Sequence, residues 1–499
     1  MTATKDPATS GTATTRTRPI ERVRGTHDRL AHDYHHAHAL LERLSGLAGQ
    51  HGYQHVDTPV IEHTELFLRK SGGDRIAQLY AFEHRGRSLA LRPEFTASAV
   101  RFYIEHLQGE PLPVRLSFSG PVFRYEKPQS GRSRQFTEFC CELIGASGPL
   151  ADAEIISLAL DGLRLSGVER PRLVLGHIGI VINFLSGLDI DQRAQDWLTW
   201  SMERIRKGDD TAHDLPPHLK RLEASLEEPL ALPAEDEEID ADTVAAILRQ
   251  AGVEFQGGSR SPEDVVRGLF AKRRRRYDAQ VLRDAAGFVS DLTRLVGPPA
   301  EVMQPLRDLV AANGLDMTPL DELESIIQLL AATGFDPGDI WIDLGMGRGL
   351  HYYTGMLFEI YADSLDSPQL CGGGRYDDLA QVLGARQPVA ACGFSYGLER
   401  VIAAASPPDT KPQPAKALVL QGDKPGEALS LAAELRRAGW VASVDLRGRN
   451  PSATHRAAVR QGYKFIVRRE DSRVAITDLA AEKTSWFDSV PALDEVVIS

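Results

Sequence analysis

Cysteine is scarce in this chain. Only Cys140, Cys141, Cys371 and Cys392 occur in 499 residues, two of them adjacent and none in a CxxC pair. That excludes metal-ligand spacing and a disulfide framework, and it fits a reducing compartment. Long apolar runs are also missing: no stretch approaches the ~18 consecutive apolar residues of a membrane helix. The opening segment, MTATKDPATSGTATTRTRP, lacks the apolar region of a secretory signal. Residues 1–19 are therefore expected to be a disordered tail, and the chain is expected to be cytoplasmic. Excess positive charge is absent too. Lys and Arg total 57 against 69 Asp and Glu, for a net charge of −12. This opposes an RNA binder that works through bulk charge but leaves room for one with a local basic surface.

What is present is an ordinary globular composition, 42% hydrophobic and 25% charged, with length for several domains. Residues 20–189 alternate helical and strand patterns. Apolar positions at helical spacing run from His27 to Gly49, Gly52 stops them, and a strand-like run follows. VRLSFSGPVFRYE and RQFTEFCCELIG read as two strands of a long hairpin around the loop KPQSGRS. Asp152 to Leu165 reads as a helix and ERPRLVLGHI as a strand. Residues 190–335 change texture and are expected to be a mainly helical insertion. Its acidic run Glu235–Glu238 and its basic cluster KRRRR (272–276) read as solvated faces, with nucleic-acid phosphate as the alternative contact for the latter. Strand texture returns over 336–405, ending in ACGFSYGLERVIAA, a strand that runs into a helix. Residues 406–416 form a Pro-rich linker, and 417–499 show a βαβαβ pattern up to KFIVRR.

Four segments carry candidate chemistry: LRPEFTASAVR (91–101), FRYEKPQSGRSRQFTEFCCE (123–142), GRGLHYYTGMLFE (347–359), and CGGGRYDDL (371–379) followed by GFSYGLER (393–400). Arginines on strands beside glycines can clamp phosphate oxygens and stabilise the charge of nucleotidyl transfer. GGGR suggests a phosphate-cradling loop, with a tight turn or close backbone packing as the other reading. Glu142 in an apolar strand needs a partner. An imidazole would serve, and so would a neighbouring arginine. Cys140 and Cys141 read as inert strand residues.

Together these segments resemble the class II aminoacyl-tRNA synthetases, and within them the histidyl-tRNA synthetase family. FRYE…GRSRQF is similar to the second class motif and GFSYGLERV to the third. GYQHVDTPVIE resembles the first, with Pro59 matching its proline. RGLHYYTG and GGGRYD resemble the two boxes peculiar to the histidine enzyme, and VRGTHD (23–28) its N-terminal signature. The resemblance covers roughly 20–185 and 335–499. It implies an α+β fold: an antiparallel sheet flanked by helices, a helical insertion, and a C-terminal α/β domain like the anticodon-binding domain. It also implies a homodimer, ATP with Mg²⁺, histidine and tRNA(His).

The resemblance further implies roles, position by position. Arg124 and Arg400 would hold ATP phosphates, Glu126 the adenine end, and Arg132 the outer phosphates. Arg348 would sit between the histidine carboxylate and the α-phosphate. Glu142 and Tyr353 would read the imidazole, with Tyr376 closing that pocket. Glu94 and Thr96 would hold the α-amino group, with Glu138 near it. Glu399 is expected to fix Arg400.

Three positions depart from the family: Phe95 stands for glycine, Glu138 for glutamine and His351 for aspartate. They raise a second reading, the non-aminoacylating paralogue that serves as regulatory subunit to the ATP phosphoribosyltransferase catalytic subunit. The complete arginine set and the C-terminal domain argue for the ligase.

Overall fold

The computed structural model describes residues 19–70, 78–125, 133–188, 279–346, 352–405, 416–421, 424–448 and 450–493, with a few positions in 190–202 and Val496. The acidic run, the KRRRR cluster, nearly all of the Pro-rich linker and most of the insertion lie outside the described residues. Two compact units make up the chain, Met1–Ser406 and Pro407–Ser499.

In the first unit, helix α1 (Ala31–Gln50) buries Ala37, Leu40, Leu44 and Ala48, a stripe at helical spacing. It begins four residues later than the apolar pattern suggests. It ends at Gly52, whose φ of +82° suits glycine, and Tyr53 N–H closes the turn on Ala48 O at 2.9 Å.

The short β1 (Gln54–His55) joins the main sheet. Next come β2 (Ile61–His63), helix α2 (Thr64–Lys70), β3 (Ala81–His84) and β4 (Arg87–Leu91). The last three strands form a small separate sheet in the order β2-β4-β3. Helix α3 (Thr96–Phe102) follows, then β5 (Val114–Phe123) and β6 (Gln135–Ile144). These two pair antiparallel without a slip from Val114↔Ile144 to Phe123↔Gln135, the hairpin expected from the sequence. Helix α4 (Pro149–Leu165), β7 (Arg172–His177), helix α5 (Gly179–Ser186) and helix α6 (Ala279–Thr293) come next. After β8 (Val296–Gly297), helices α7 (Pro299–Ala312) and α8 (Thr318–Ala332) lead to β9 (Ile340–Asp343), β10 (Met356–Tyr361), β11 (Gln369–Arg375), β12 (Ala391–Gly397) and helix α9 (Leu398–Ala404).

The main sheet has nine strands in the order β1-β5-β6-β12-β11-β10-β7-β9-β8. Its centre, β6-β12-β11-β10-β7, is antiparallel throughout. Residues 279–335, grouped by texture with the insertion, supply β8 to this sheet and helix α8 against α4.

One face of the sheet rests on α1 and α4. Phe139 and Tyr396 stack there with ring centroids 6.1 Å apart, and Tyr396 Oη donates to Ala159 O on α4. The other face carries Glu138, Cys140 and Glu142 of β6, with Ser395 and Gly393 of β12 in register beside them. Strand alternation therefore places a row of polar groups opposite the helix-covered core.

The second unit orders β13 (Lys416–Val419), helix α10 (Pro425–Arg437), β14 (Val441–Val444), helix α11 (Pro451–Arg460), β15 (Phe465–Glu470), β16 (Arg473–Asp478) and β17 (Lys483–Phe487). Its sheet runs β14-β13-β15-β16-β17. The βαβαβ part matches the sequence pattern, with α11 capped by the Asn450 side chain on Ala453 N–H. The antiparallel β16–β17 extension is an addition that the pattern does not reveal.

Candidate active site

The site is a strip of the sheet face opposite α1 and α4, with a floor of glycine. Gly372 and Gly374 of β11 lie in register with Ser395 and Gly393 of β12, and Gly393 with Glu142 of β6. GGGR is thus a strand, not a phosphate-cradling loop. The absence of side chains is required here. A Cβ on Gly393 would fall on Glu142 Oε2, and one on Gly374 would approach Met356 O at 2.7 Å and Tyr353 Cε1 at 2.8 Å. Both neighbouring side chains can therefore lie across the strands.

Glu142 is 1% exposed. The donor brought to it is the Tyr376 hydroxyl, which donates to Oε2. Burial first, and then the nearby Glu142 carboxylate, push the Tyr376 phenol well above its ordinary range. It therefore stays protonated and works as a donor. Tyr352 lies between the other two tyrosines, with ring centroids 4.4 Å from Tyr353 and 5.9 Å from Tyr376. Glu142, Tyr353 and Tyr376 thus come together from three distant parts of the chain.

The two residues flanking Tyr376 hold it in place. Arg375 points to the helix side, where Nη2 meets Asp152 Oδ1 at 2.6 Å and Nη1 meets Asp377 Oδ1 at 3.0 Å. Its Nη1 also donates to Ala146 O at 3.1 Å. Asp377 Oδ1 accepts from Ala391 N–H at 3.0 Å, and Asp377 N–H donates to Thr354 Oγ1 at 3.0 Å. Arg375 is a structural cation on the far side of the sheet from Glu142.

The other end of the strip is cationic. Arg124 follows β5; its Nη2 meets Glu138 Oε1 at 2.6 Å and its Nε donates to Pro93 O at 2.9 Å. Arg400 on α9 folds over Gly397, where a Cβ would approach its Nε at 2.8 Å. Glu94 and Thr96 stand at the start of α3, and the Glu94 carboxylate accepts from Ala97 N–H at 3.2 Å. Glu126, Arg132, Arg348 and His351 lie outside the described residues.

Phe95, the bulky departure, is 1% exposed. Its ring packs on Phe118 at 5.8 Å, with the Arg92 guanidinium 4.1 Å from its centroid. The core takes up this side chain. Arg92 itself is buried, with Nη1 donating to Thr58 O at 2.6 Å and Nε to Pro121 O at 3.0 Å.

Glu399 does not fix Arg400; its partners lie on β6 and in the N-terminal segment. It accepts from Thr137 N–H at 2.9 Å and pairs with Arg29. Arg29 Nη2 also donates to Thr137 Oγ1 at 2.6 Å. Nearby, Ser133 Oγ and Arg134 N–H donate to Gly25 O at 2.8 and 2.7 Å. The VRGTHD segment therefore straps the loop end of the β5–β6 hairpin, and Arg29 ties it to α9. Sequence reasoning missed Arg29, Gly393 and this strap; the only visible trace was the VRGTHD signature itself.

The buried cysteines are inert: burial pushes the Cys140, Cys141 and Cys392 thiols well above their ordinary range. Among the described residues no group of three or more His, Cys, Asp or Glu forms a metal cage. Among the same residues, no helix is long and apolar enough to cross a membrane.

The family model of histidyl-tRNA synthetase matches residues 25–209 and 243–401. The histidine–tRNA ligase of Archaeoglobus fulgidus is 32% identical over 472 residues, 93% of this chain and 96% of that protein. That of Methanocaldococcus jannaschii is 29% identical over 451 residues, 90% and 91% respectively. The fold matches the apo crystal structure of Staphylococcus aureus histidyl-tRNA synthetase, with a TM-score of 0.60, 23% identity, and 96% of this chain and 99% of that one covered. It also matches a Bacillus halodurans structure described as an ATP phosphoribosyltransferase regulatory subunit/histidyl-tRNA synthetase, with a TM-score of 0.64, 22% identity, and coverage of 91% and 99%. This chain belongs to the histidyl-tRNA synthetase family.

Proposed function

We propose that the protein is a histidine–tRNA ligase, which activates histidine with ATP and transfers it to tRNA(His). The single observation that carries this is the buried Glu142–Tyr376 pair beside Tyr353 on a glycine floor. A buried carboxyl that already accepts from a hydroxyl has oxygen lone pairs left for a ligand that donates N–H. Imidazole is such a ligand, and the glycines let the Glu142 and Tyr353 side chains lie across the strands.

The other end suits ATP. Arg124 and Arg400 would bind its phosphates, with Glu126 at the adenine and Arg132 at the outer phosphates. Arg348 would lie between the histidine carboxylate and the α-phosphate and offset the charge that grows there. Glu94, Thr96 and Glu138 would take the α-amino group. Catalysis is then orientation plus electrostatics. The histidine carboxylate attacks the α-phosphorus, the bond to pyrophosphate breaks, and the 3′-terminal ribose hydroxyl of tRNA displaces AMP from the adenylate. Mg²⁺ usually keeps several waters and binds through substrate phosphates, so it would arrive with ATP. The homodimer and the reading of the anticodon by the second unit belong to the same proposal.

The reading as a regulatory paralogue rests on Phe95, Glu138 and His351. Of these, Phe95 is absorbed by the core, which weakens its case. Charging decides between the two. The purified protein is expected to attach labelled histidine to a tRNA(His) transcript in the presence of ATP and Mg²⁺. No charging, together with co-purification of a phosphoribosyltransferase catalytic subunit, would sink the ligase reading.

A further inference from the structure

We infer that Glu322 and His177 are positioning residues for the imidazole pocket: their hydrogen bond, on the far side of the sheet, holds the segment that carries Tyr353. The inference rests on the histidine-activating reading and names a support of that same pocket.

Segment 353–355 leads into β10 and is gripped at three points. Thr354 N–H donates to Arg375 O at 2.9 Å, and Asp377 N–H donates to Thr354 Oγ1 at 3.0 Å. Ile178 N–H donates to Gly355 O at 3.0 Å. A Cβ on Gly355 would approach Arg375 Cδ at 3.0 Å, so the segment lies against that side chain. Two of the grips come from residues 375–377, which Asp152 and Ala391 anchor. The third comes from the end of β7, next to His177.

His177 lies in register with Met356, one place beyond the row of Gly176, Leu357 and Gly374. Gly374 belongs to the site floor, so strand alternation turns the His177 ring to the helix side. There His177 is 6% exposed, and its Nε2 meets Glu322 Oε2 of α8 at 3.1 Å. The bond from His177 holds the Glu322 carboxyl below its ordinary range. The carboxylate therefore accepts and Nε2 carries the proton. Nδ1 is buried with no hydrogen-bond partner among the described residues. It sits against the start of α5, where a Cβ on Gly179 would approach it at 3.0 Å. Among the described residues, Glu322 is thus the ring's one hydrogen-bonded tether. Asp152 acts on both groups of the pair, and Arg375 and Asp316 act on Glu322, through their charge.

Loss of the tether leaves both ring nitrogens unpartnered in the interior, which is costly. Relief requires the end of β7 to shift, and with it Ile178, the grip on Gly355. Tyr353 is two residues from that grip. The ATP arginines Arg124, beside β5, and Arg400, on α9, are held by other elements.

The Glu322 side chain is 34% exposed, so replacing it spares the core. The test is calorimetry of histidine binding to the full chain, together with ATP–pyrophosphate exchange. Glu322→Ala is expected to weaken histidine binding about tenfold and to raise the histidine KM alike, with the ATP KM within about twofold, because misplacing a binding group slightly is this expensive. Glu322→Gln keeps an acceptor for Nε2 and should restore both to within about threefold of wild type. His177→Leu should match Glu322→Ala, and the double variant should be no worse than either, since the two act as one unit. Should His177→Leu not fold, the two Glu322 variants decide alone. An unchanged histidine Kd in Glu322→Ala, an equal rise in both KM values, or a Gln variant as impaired as Ala overturns the inference. Such a failure with wild-type exchange intact leaves the histidine-activating reading standing. A wild-type protein that neither binds histidine nor exchanges refutes that reading itself.

Discussion

Glu142 and Glu138 sit four residues apart on one face of one strand, both nearly buried, and the chain treats them differently. Glu142 accepts a hydrogen bond from the neutral Tyr376 hydroxyl. Glu138 receives the Arg124 guanidinium. The contrast teaches that two buried carboxylates in one cleft need not share a role. One meets a neutral hydroxyl and the other a guanidinium, so the two offer different electrostatics to a ligand.

The strongest way to break this contrast is to remove the standing charge. Glu142→Ala is expected to lower histidine-dependent ATP–pyrophosphate exchange roughly a thousandfold or more. An activity within tenfold of wild type would show that Glu142 does not read the substrate. Arg348→Ala should cost roughly a hundredfold or more in the same assay while leaving the histidine Kd from calorimetry nearly unchanged. Turnover that stays put would remove Arg348 from the adenylation step.

Smaller effects sharpen the comparison. Tyr376→Phe deletes the neutral donor and leaves a buried carboxylate less satisfied. The histidine KM is expected to rise about 10- to 100-fold with the ATP KM within twofold. Gly393→Ala drives a Cβ into Glu142 and should shift the histidine KM in the same direction, as steady-state kinetics would reveal. An equal rise in both KM values would mean that the whole sheet had moved instead.

The smallest expected effect lies off the cleft. Arg115 Nε meets Glu154 Oε1 at 2.8 Å on the helix side of the sheet. The hydrogen bond from Arg115 holds the Glu154 carboxyl below its ordinary range. A depressed carboxyl stabilises the fold above its unfolded pKa, and that contribution fades as pH falls through the folded value. Arg115→Met should therefore lower the melting temperature by about 1 °C near neutrality. Its gap from wild type should close in acid, where both carboxyls are protonated.

Much of the fold was legible because it is local. The β5–β6 hairpin, the strand running into α9 and the βαβαβ unit all follow from alternation, helical spacing and punctuation by Gly and Pro. The missed parts lack such signals. The small β2-β4-β3 sheet consists of strands of three to five residues. The β15–β16 turn uses Asp471 at a φ of +52° in place of glycine. For the site, the residue types were readable, but their partners were not. Tyr376 reaches Glu142 across 234 positions of sequence, and Arg29 reaches Glu399 across 370. Cross-strand register also decides why GGGR is a floor and not a phosphate loop, and register has no local signature.

The central claim, that this cleft activates histidine, is tested most directly by ATP–pyrophosphate exchange measured with each of the standard amino acids in turn. The account predicts exchange with histidine far above that with any other. Absence of exchange with histidine, or equal exchange with another amino acid, would contradict it.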